Sequence, residues 1–282
     1  MEKKNIEKVF LGEKFLQETL HSASIKNEMS TRFAAGYLMR AAMAGTFALF
    51  GYIMIMAFDA NFNDSLNSFG LVFGAAFFSL CLVAIYYTRS ELLTSNMMIL
   101  SVSRYFKEIT IPRMLKILGL CYLGNILGAI IISILVANSS IITEGMLQSM
   151  EHSLAVKQGY IIDGNYIDLF VRAIFCNFFI NIAMLMVYSG NIKSDSAKIT
   201  AMFFGVFAFA YLGFEHSVAN TAFFTLAEMI QLFQGIDVGF NAFAAAGNII
   251  IVILGNFVGG GLLIGYYYAY MNDSRNKLRT MH

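Results

Sequence analysis

Long apolar runs, broken by short polar clusters, dominate the chain. A helix crossing a hydrocarbon core of roughly 30 Å takes about 20 residues. Runs of that length fall near 33–58, 67–103, 115–137, 166–189, 199–223 and 243–271, which predicts six transmembrane spans. Two runs are not uniform. "TRSELLTSN" (88–96) sets Arg89, Glu91, Thr94 and Asn96 inside the second, and "YLGFEHSVANTAFF" (211–224) sets Glu215, His216 and Asn220 inside the fifth. Irregular backbone at membrane depth is tolerated only where protein buries it or it lines an aqueous cavity. The second and fifth spans are therefore expected to be interrupted, each break leaving the N-terminus of a half-helix whose free N–H groups suit an anion.

The two halves echo each other. Both clusters read Glu, four residues, Asn: Glu91 with Asn96 and Glu215 with Asn220. The third and sixth runs, "YLGNILGAII" and "ILGNFVGGGLLIG", share Leu-Gly-Asn with a glycine three residues beyond Asn125 and Asn256. Three spans per half require the second half to run inverted, as in many transport proteins. The expected repeats cover about 31–138 and 166–271. Gly124 and Gly128, Gly255 and Gly259, and Gly261 and Gly265 are each four apart, the spacing that lets helix backbones approach closely. Asn125 and Asn256 are expected to be polar ties between helices.

Composition agrees with a membrane-embedded chain: 58% hydrophobic, 13% charged, mean hydropathy +0.65, where a soluble domain carries about a quarter charged residues. Residues 1–30 place Ile6, Val9, Phe10 and Leu20 at helical spacing among charges. They lack the apolar core of a signal peptide. They read as an amphipathic helix on the membrane face, over a pore mouth, or docked on neighbouring loops. Lys and Arg gather before the first span, between the second and third (Arg104, Lys107, Arg113, Lys116), between the fourth and fifth (Lys193, Lys198) and in the tail 272–282. The other side holds Lys157. The excess of positive charge then puts both termini in the cytoplasm and the chain in the cytoplasmic membrane. Arg40, Arg89 and Arg172 sit in or at the ends of spans and need a partner or a water-filled vestibule; Asp168, four residues before Arg172, offers one. Cys81, Cys121 and Cys176 fall inside spans, where small-residue packing is expected. Within the spans there are no paired carboxylates at helical spacing, no metal-ligand set and no nucleotide loop, so the expectation is no enzyme, no metal, no cofactor and no nucleic-acid partner.

Several of these stretches resemble one family. "GFEHSVANT" (213–221) is similar to the fifth-span signature of the formate/nitrite transporter family, and "ELLTSNMM" (91–98) to the loop that breaks its second span. "RAIFCNFFINIA" (172–183), "GNFVGGGLLIG" (255–265), "AGTF" (44–47) and "YLGNILGA" (122–129) resemble its fourth, sixth, first and third spans. The resemblance implies an aquaporin-like homopentamer with one pore per protomer, passing small monovalent anions, formate or nitrite, with hydrosulfide or lactate as alternatives. An aquaporin proper is disfavoured, since Asn-Pro-Ala boxes are absent and the single proline is Pro112.

By the same resemblance His216 is the central imidazole, Thr94 the hydroxyl facing it, and Asn177 a nearby amide. Phe78, Leu82 and Phe209, with Leu92 and Leu93 in the loop, correspond to the apolar constrictions. Lys157 corresponds to an outer vestibule lysine and Lys26 to an inner counterpart. Glu91, Glu215, Asn96, Asn220, Asn125 and Asn256 are assigned structural roles, Glu215 through a hydrogen bond to backbone. Since histidine titrates near working pH, His216 is expected to set the pH dependence of flux.

Overall fold

The computed structural model describes residues 12–62 and 67–273. Ile6, Val9, Phe10 and the basic tail residues Arg275, Lys277 and Arg279 lie outside the described residues. Every element among those described is helical. In order they are α1 (Glu13–Arg32), α2 (Ala34–Asn61), α3 (Asn67–Tyr87), α4 (Leu93–Tyr105), α5 (Ile111–Ala137) and α6 (Glu144–Ile162). Then follow α7 (Tyr166–Tyr188), α8 (Asp195–Tyr211), α9 (Ser217–Gln234), α10 (Ala242–Asn256), a π-helical continuation (Phe257–Tyr266) and α11 (Tyr267–Asn272). Five of these stretches are long and apolar enough to cross a membrane: α2, Phe69–Tyr87 of α3, α5, α7, and the continuous run Ala242–Asn272. The helix in the fifth predicted run, α8, has 17 residues.

The helices α3 and α8 end in the same way. Ser90 N–H donates to the Ile85 carbonyl at 3.0 Å, and Phe214 N–H to the Phe209 carbonyl at 2.9 Å. Each closing turn needs a left-handed residue, Arg89 (φ 56°) in one and Gly213 (φ 66°) in the other. Closing a helix on a left-handed residue satisfies its orphan carbonyls, and glycine does so without a Cβ clash. The chain then extends for a few residues and re-enters helix at Leu93 and at Ser217.

Two close helix pairs hold these breaks. α2 packs on α5, where a Cβ at Gly128 would run into the Ala42 carbonyl and one at Gly45 into the Asn125 carbonyl. α7 packs on α10 and its π-helical continuation, where a Cβ at Gly255 would meet Ala173 and one at Gly259 the Ile174 carbonyl. Gly261 and Gly265, in the π-helical stretch, lie against Ser101 and Met98 of α4. The glycine pairs thus serve backbone approach, as their spacing predicts.

Outside this frame lie α1 and α6. Arg113 of α5 fastens α1 by donating to the Asn27 side chain (2.6 Å) and carbonyl (2.8 Å), to Ser30 Oγ (2.7 Å) and to Thr31 Oγ1. Phe15 meets Tyr268 edge-on. α6, which the run pattern did not predict, starts at Thr143, whose hydroxyl accepts from Met146 N–H and caps it.

Candidate functional site

The starts of α4 and α9 are each held by an asparagine from a glycine-rich helix. Asn125 Oδ1 accepts from Leu93 N–H (3.2 Å) while its amide donates to the Glu91 carbonyl (2.8 Å) and the Ala41 carbonyl (2.7 Å). Asn256 repeats the pattern: Oδ1 accepts from Ser217 N–H (2.9 Å), and the amide donates to the carbonyls of Glu215 (3.0 Å) and Ala173 (2.8 Å).

The carboxylates repeat it too. Glu91 Oε2 takes the Lys26 ammonium at 2.6 Å and the Asn96 amide at 2.9 Å. Glu215 takes Lys157 at 2.8 and 2.9 Å and Asn220 at 2.5 Å, and Asn248 joins Asn220 Nδ2 to the Lys157 carbonyl, both at 2.9 Å. Both pairs are buried. This corrects the backbone role expected for Glu215: its carboxylate is committed to a lysine 58 residues away and to Asn220. Burial pulls the Lys26 ammonium down most strongly, but the charge and hydrogen bond of Glu91, together with Tyr188 and Cys121, more than offset it and the group sits above the ordinary lysine value. Arg172 is paired with Asp168 at 3.1 Å within α7, as the spacing offered.

His216 occupies the residue before α9. Its Nδ1 accepts from Ala219 N–H at 3.0 Å, and its Nε2 lies 2.9 Å from Thr94 Oγ1. A nitrogen that accepts carries no proton, so this network assigns the neutral ring its hydrogen on Nε2, directed to Thr94. Thr94 then keeps its own hydroxyl proton for another acceptor. Charging the ring would protonate Nδ1 and sacrifice the cap on α9. Residue Leu92, in the matching position before α4, has no polar side chain and makes no cap.

Three adjoining cavities pass this point. The one beneath α1 has a volume of about 490 Å³, and the one beneath α6 about 350 Å³. Between them lies a chamber of about 30 Å³, the volume of roughly one water in the liquid. Leu82, Ile85 and Leu92 wall both the α1 cavity and the chamber; Phe78, Phe209 and His216 wall both the chamber and the α6 cavity. Phe209 stacks on the imidazole, centroids 5.9 Å apart, and Phe78 meets Phe209 edge-on at 6.0 Å. Lys157 faces the α6 cavity, and its ammonium lies 5.8 Å from the Tyr52 ring centroid. Glu91 and Asn96 line the α1 cavity with Lys26.

Thr94, Asn177 and Leu93 stand behind these walls. Leu93 and Thr94 belong to the first turn of α4 rather than to the loop. Asn177, fully buried, donates to the carbonyls of Thr94 (3.2 Å) and Asn256 (2.7 Å), tying α7 to both breaks. The sequence did not single out Ile85, Tyr52 or Asn248. Ile85 is one apolar residue in a uniformly apolar helix and left no signal. Asn248, an isolated amide inside an apolar run, was a usable one.

An all-helical membrane protein is thus built around two helix starts that follow short extended turns, with a narrow chamber lying between wider cavities. Residues 13–270 match the formate/nitrite transporter family, and the chain belongs to it. It is 26% identical over 249 residues to the nitrite transporter NirC of Escherichia coli, covering 88% of each chain. Among solved structures it is similar to an FNT family ion channel (TM-score 0.79, 24% identity, 91% of this chain and 98% of that one). A second is a pentameric formate channel with formate bound (TM-score 0.71, 22% identity, 86% and 98%). Those two likenesses concern the fold.

Proposed function

We propose that the protein carries small monovalent anions, formate or nitrite, across the cytoplasmic membrane through the three cavities. The observation that carries this is the placement of His216, whose imidazole, hydrogen-bonded to Thr94, is the polar group at the waist of an otherwise apolar chamber. An anion entering a passage of Phe and Leu loses hydration at a heavy cost. Donors around the waist offset part of that loss, or the anion takes a proton and crosses neutral. The relatives support the choice of anion: one is a nitrite transporter, and one fold neighbour holds formate.

In this reading the chain has six spans, the second formed by α3 and α4 and the fifth by α8 and α9, so that both are broken. The halves 31–138 and 166–271 are inverted repeats, supported by the matching Lys–Glu–Asn and Asn-cap networks. Five protomers assemble, each with its own pore, as in the pentameric neighbour. Residues 1–30 and 272–282 lie in the cytoplasm, so the α1 cavity opens inward and the α6 cavity outward. Leu82 with Leu92, and Phe78 with Phe209, are the two constrictions. Thr94 faces the imidazole, Asn177 and Leu93 set the position of α4, and Lys157 holds the outer vestibule. The polar residues Glu91, Glu215, Asn96, Asn220, Asn125 and Asn256 maintain the breaks. The protein is a carrier of solutes rather than an enzyme.

The test is a competition panel in proteoliposomes: formate, nitrite, hydrosulfide, lactate and acetate, each at two pH values. Formate and nitrite should compete with one another and move faster at the lower pH. Preferential flux of lactate or hydrosulfide would overturn the assignment. Removing the Phe209 ring is expected to merge the chamber with the outer cavity. Phe209→Ala should therefore raise acetate or lactate flux relative to formate by about tenfold, as one apolar contact discriminates by 1–3 kcal/mol; unchanged selectivity would place the constriction elsewhere.

A further inference from the structure

The cavity beneath α1 is far more basic than a small monovalent anion requires. Its walls carry six Lys and Arg side chains, Lys14, Lys26, Arg40, Arg89, Lys193 and Lys198, against Glu18 and Glu91. Lys26 is neutralised by Glu91, and Lys198 reaches Asp195 at 3.6 Å. Among the described residues, no hydrogen bond or ion pair engages the guanidiniums of Arg40 and Arg89. The two are brought together by the break itself, where Glu91 N–H donates to the Arg40 carbonyl at 3.1 Å, two residues beyond Arg89.

A further observation points to a ligand here. Ser95 lines the cavity and is 8% exposed, and its hydroxyl oxygen, turned away from the open volume, has no partner among the described residues, so a rotation about its side chain would free it for a ligand. Arg89 adopts the left-handed conformation, with φ 56°, where the matching turn uses Gly213. A side chain there costs roughly 1–2 kcal/mol relative to glycine, as it does at Lys107 (φ 62°). Guanidinium forks match phosphate and carboxylate oxygens in paired hydrogen bonds.

We infer that this cavity binds a soluble, multivalent, phosphate-bearing oxyanion, which enters the mouth but is too large and too charged for the chamber beyond. Bound there, it occupies the path of the transported anion and blocks it from the inner side. Charge and size select the ligand class: a monovalent ion would leave most of the basic charge uncompensated in a volume of about 490 Å³. The blocking step rests on the transport reading above; the binding step does not.

Inorganic pyrophosphate is a suitable probe. Titration calorimetry on the purified protein in detergent should show saturable binding that weakens as ionic strength rises. Arg40→Gln combined with Arg89→Gly should weaken it at least about tenfold. Glycine at 89 relieves the backbone strain, so that variant is expected to fold; a melting curve in the same detergent checks it. In proteoliposomes loaded with pyrophosphate, formate flux through wild type should fall several-fold relative to unloaded vesicles, and that ratio should return towards one in the double variant. External pyrophosphate on right-side-out protein should leave flux unchanged. Absence of binding, equal binding to both proteins, or equal block from both faces would overturn the inference. Binding without any formate flux would instead sink the transport reading and leave the site standing.

Discussion

His216→Ala is expected to lower formate flux by more than tenfold at every pH, whereas His216→Asn should keep flux within a few-fold of wild type. The imidazole does two things in the structure: Nδ1 caps α9 through Ala219, and Nε2 faces Thr94 across the break. Alanine does neither. Loss of an N-cap costs about 1 kcal/mol, and leaving the buried Thr94 hydroxyl without its partner costs about 1–3 kcal/mol; together these exceed tenfold. Asparagine is a good N-cap and retains an amide donor. With the ring neutral and committed through both nitrogens, any rise of flux with falling pH is expected to come from protonation of the anion, and the Asn variant should preserve that slope. Flux measured between pH 5 and 8, with a melting curve for each variant, checks this. An Asn variant that is folded but flat with pH would return the pH dependence to the charge on His216, as its residue type alone suggested.

Lys157→Met should be the most destabilising single change near the site. It leaves the Glu215 carboxylate, 3% exposed, with Asn220 as its remaining side-chain partner. Removing one member of a buried ion pair costs about 3–5 kcal/mol, whereas replacing both members is often close to neutral. The melting temperature in detergent should fall by roughly ten degrees, and Lys157→Met with Glu215→Gln should recover most of that. Lys26→Met should behave alike because Glu91 is equally buried. A single variant that melts with wild type would mean the pair is solvated in the membrane and does not hold the break.

Much of this architecture was legible because polarity in an apolar run is conspicuous. The two Glu-x4-Asn clusters marked both places where one helix ends and the next begins, and Leu-Gly-Asn marked the two asparagines bonded there. What those groups bond to was less legible. Lys26 and Lys157 lie 65 and 58 residues from their carboxylates, and no local spacing links them. The end of the fifth run was also missed. The fifth run was expected to stop at 223, but α9 continues to Gln234 and ends on left-handed Gly235 (φ 69°). Its later turns mix polar residues with apolar ones, so they read poorly as membrane. α6 was missed for the same reason. The π-helical stretch had a local cause in Gly259, Gly260 and Gly261, where Cβ atoms would strike α7 and α4, but three adjacent glycines predict close approach more readily than a change of helical pitch.

Among the chamber walls, Phe78, Leu82 and Phe209 were suggested by resemblance alone, and Ile85 not at all. Phe78, Leu82, Ile85 and Phe209 sit in helices apolar on every side, so periodicity cannot tell a pore-facing side chain from a lipid-facing one. Geometry separates them: these four are nearly buried, while their neighbours Phe77, Leu80 and Phe204 are exposed on the outer surface.

Stopped-flow light scattering on proteoliposomes, run with matched gradients of formate and of glycerol, reaches the central claim most directly. The account predicts that formate equilibrates far faster than in empty vesicles, more so at lower pH, while glycerol does not. Glycerol moving as fast as formate, with neither rate responding to pH, would contradict it.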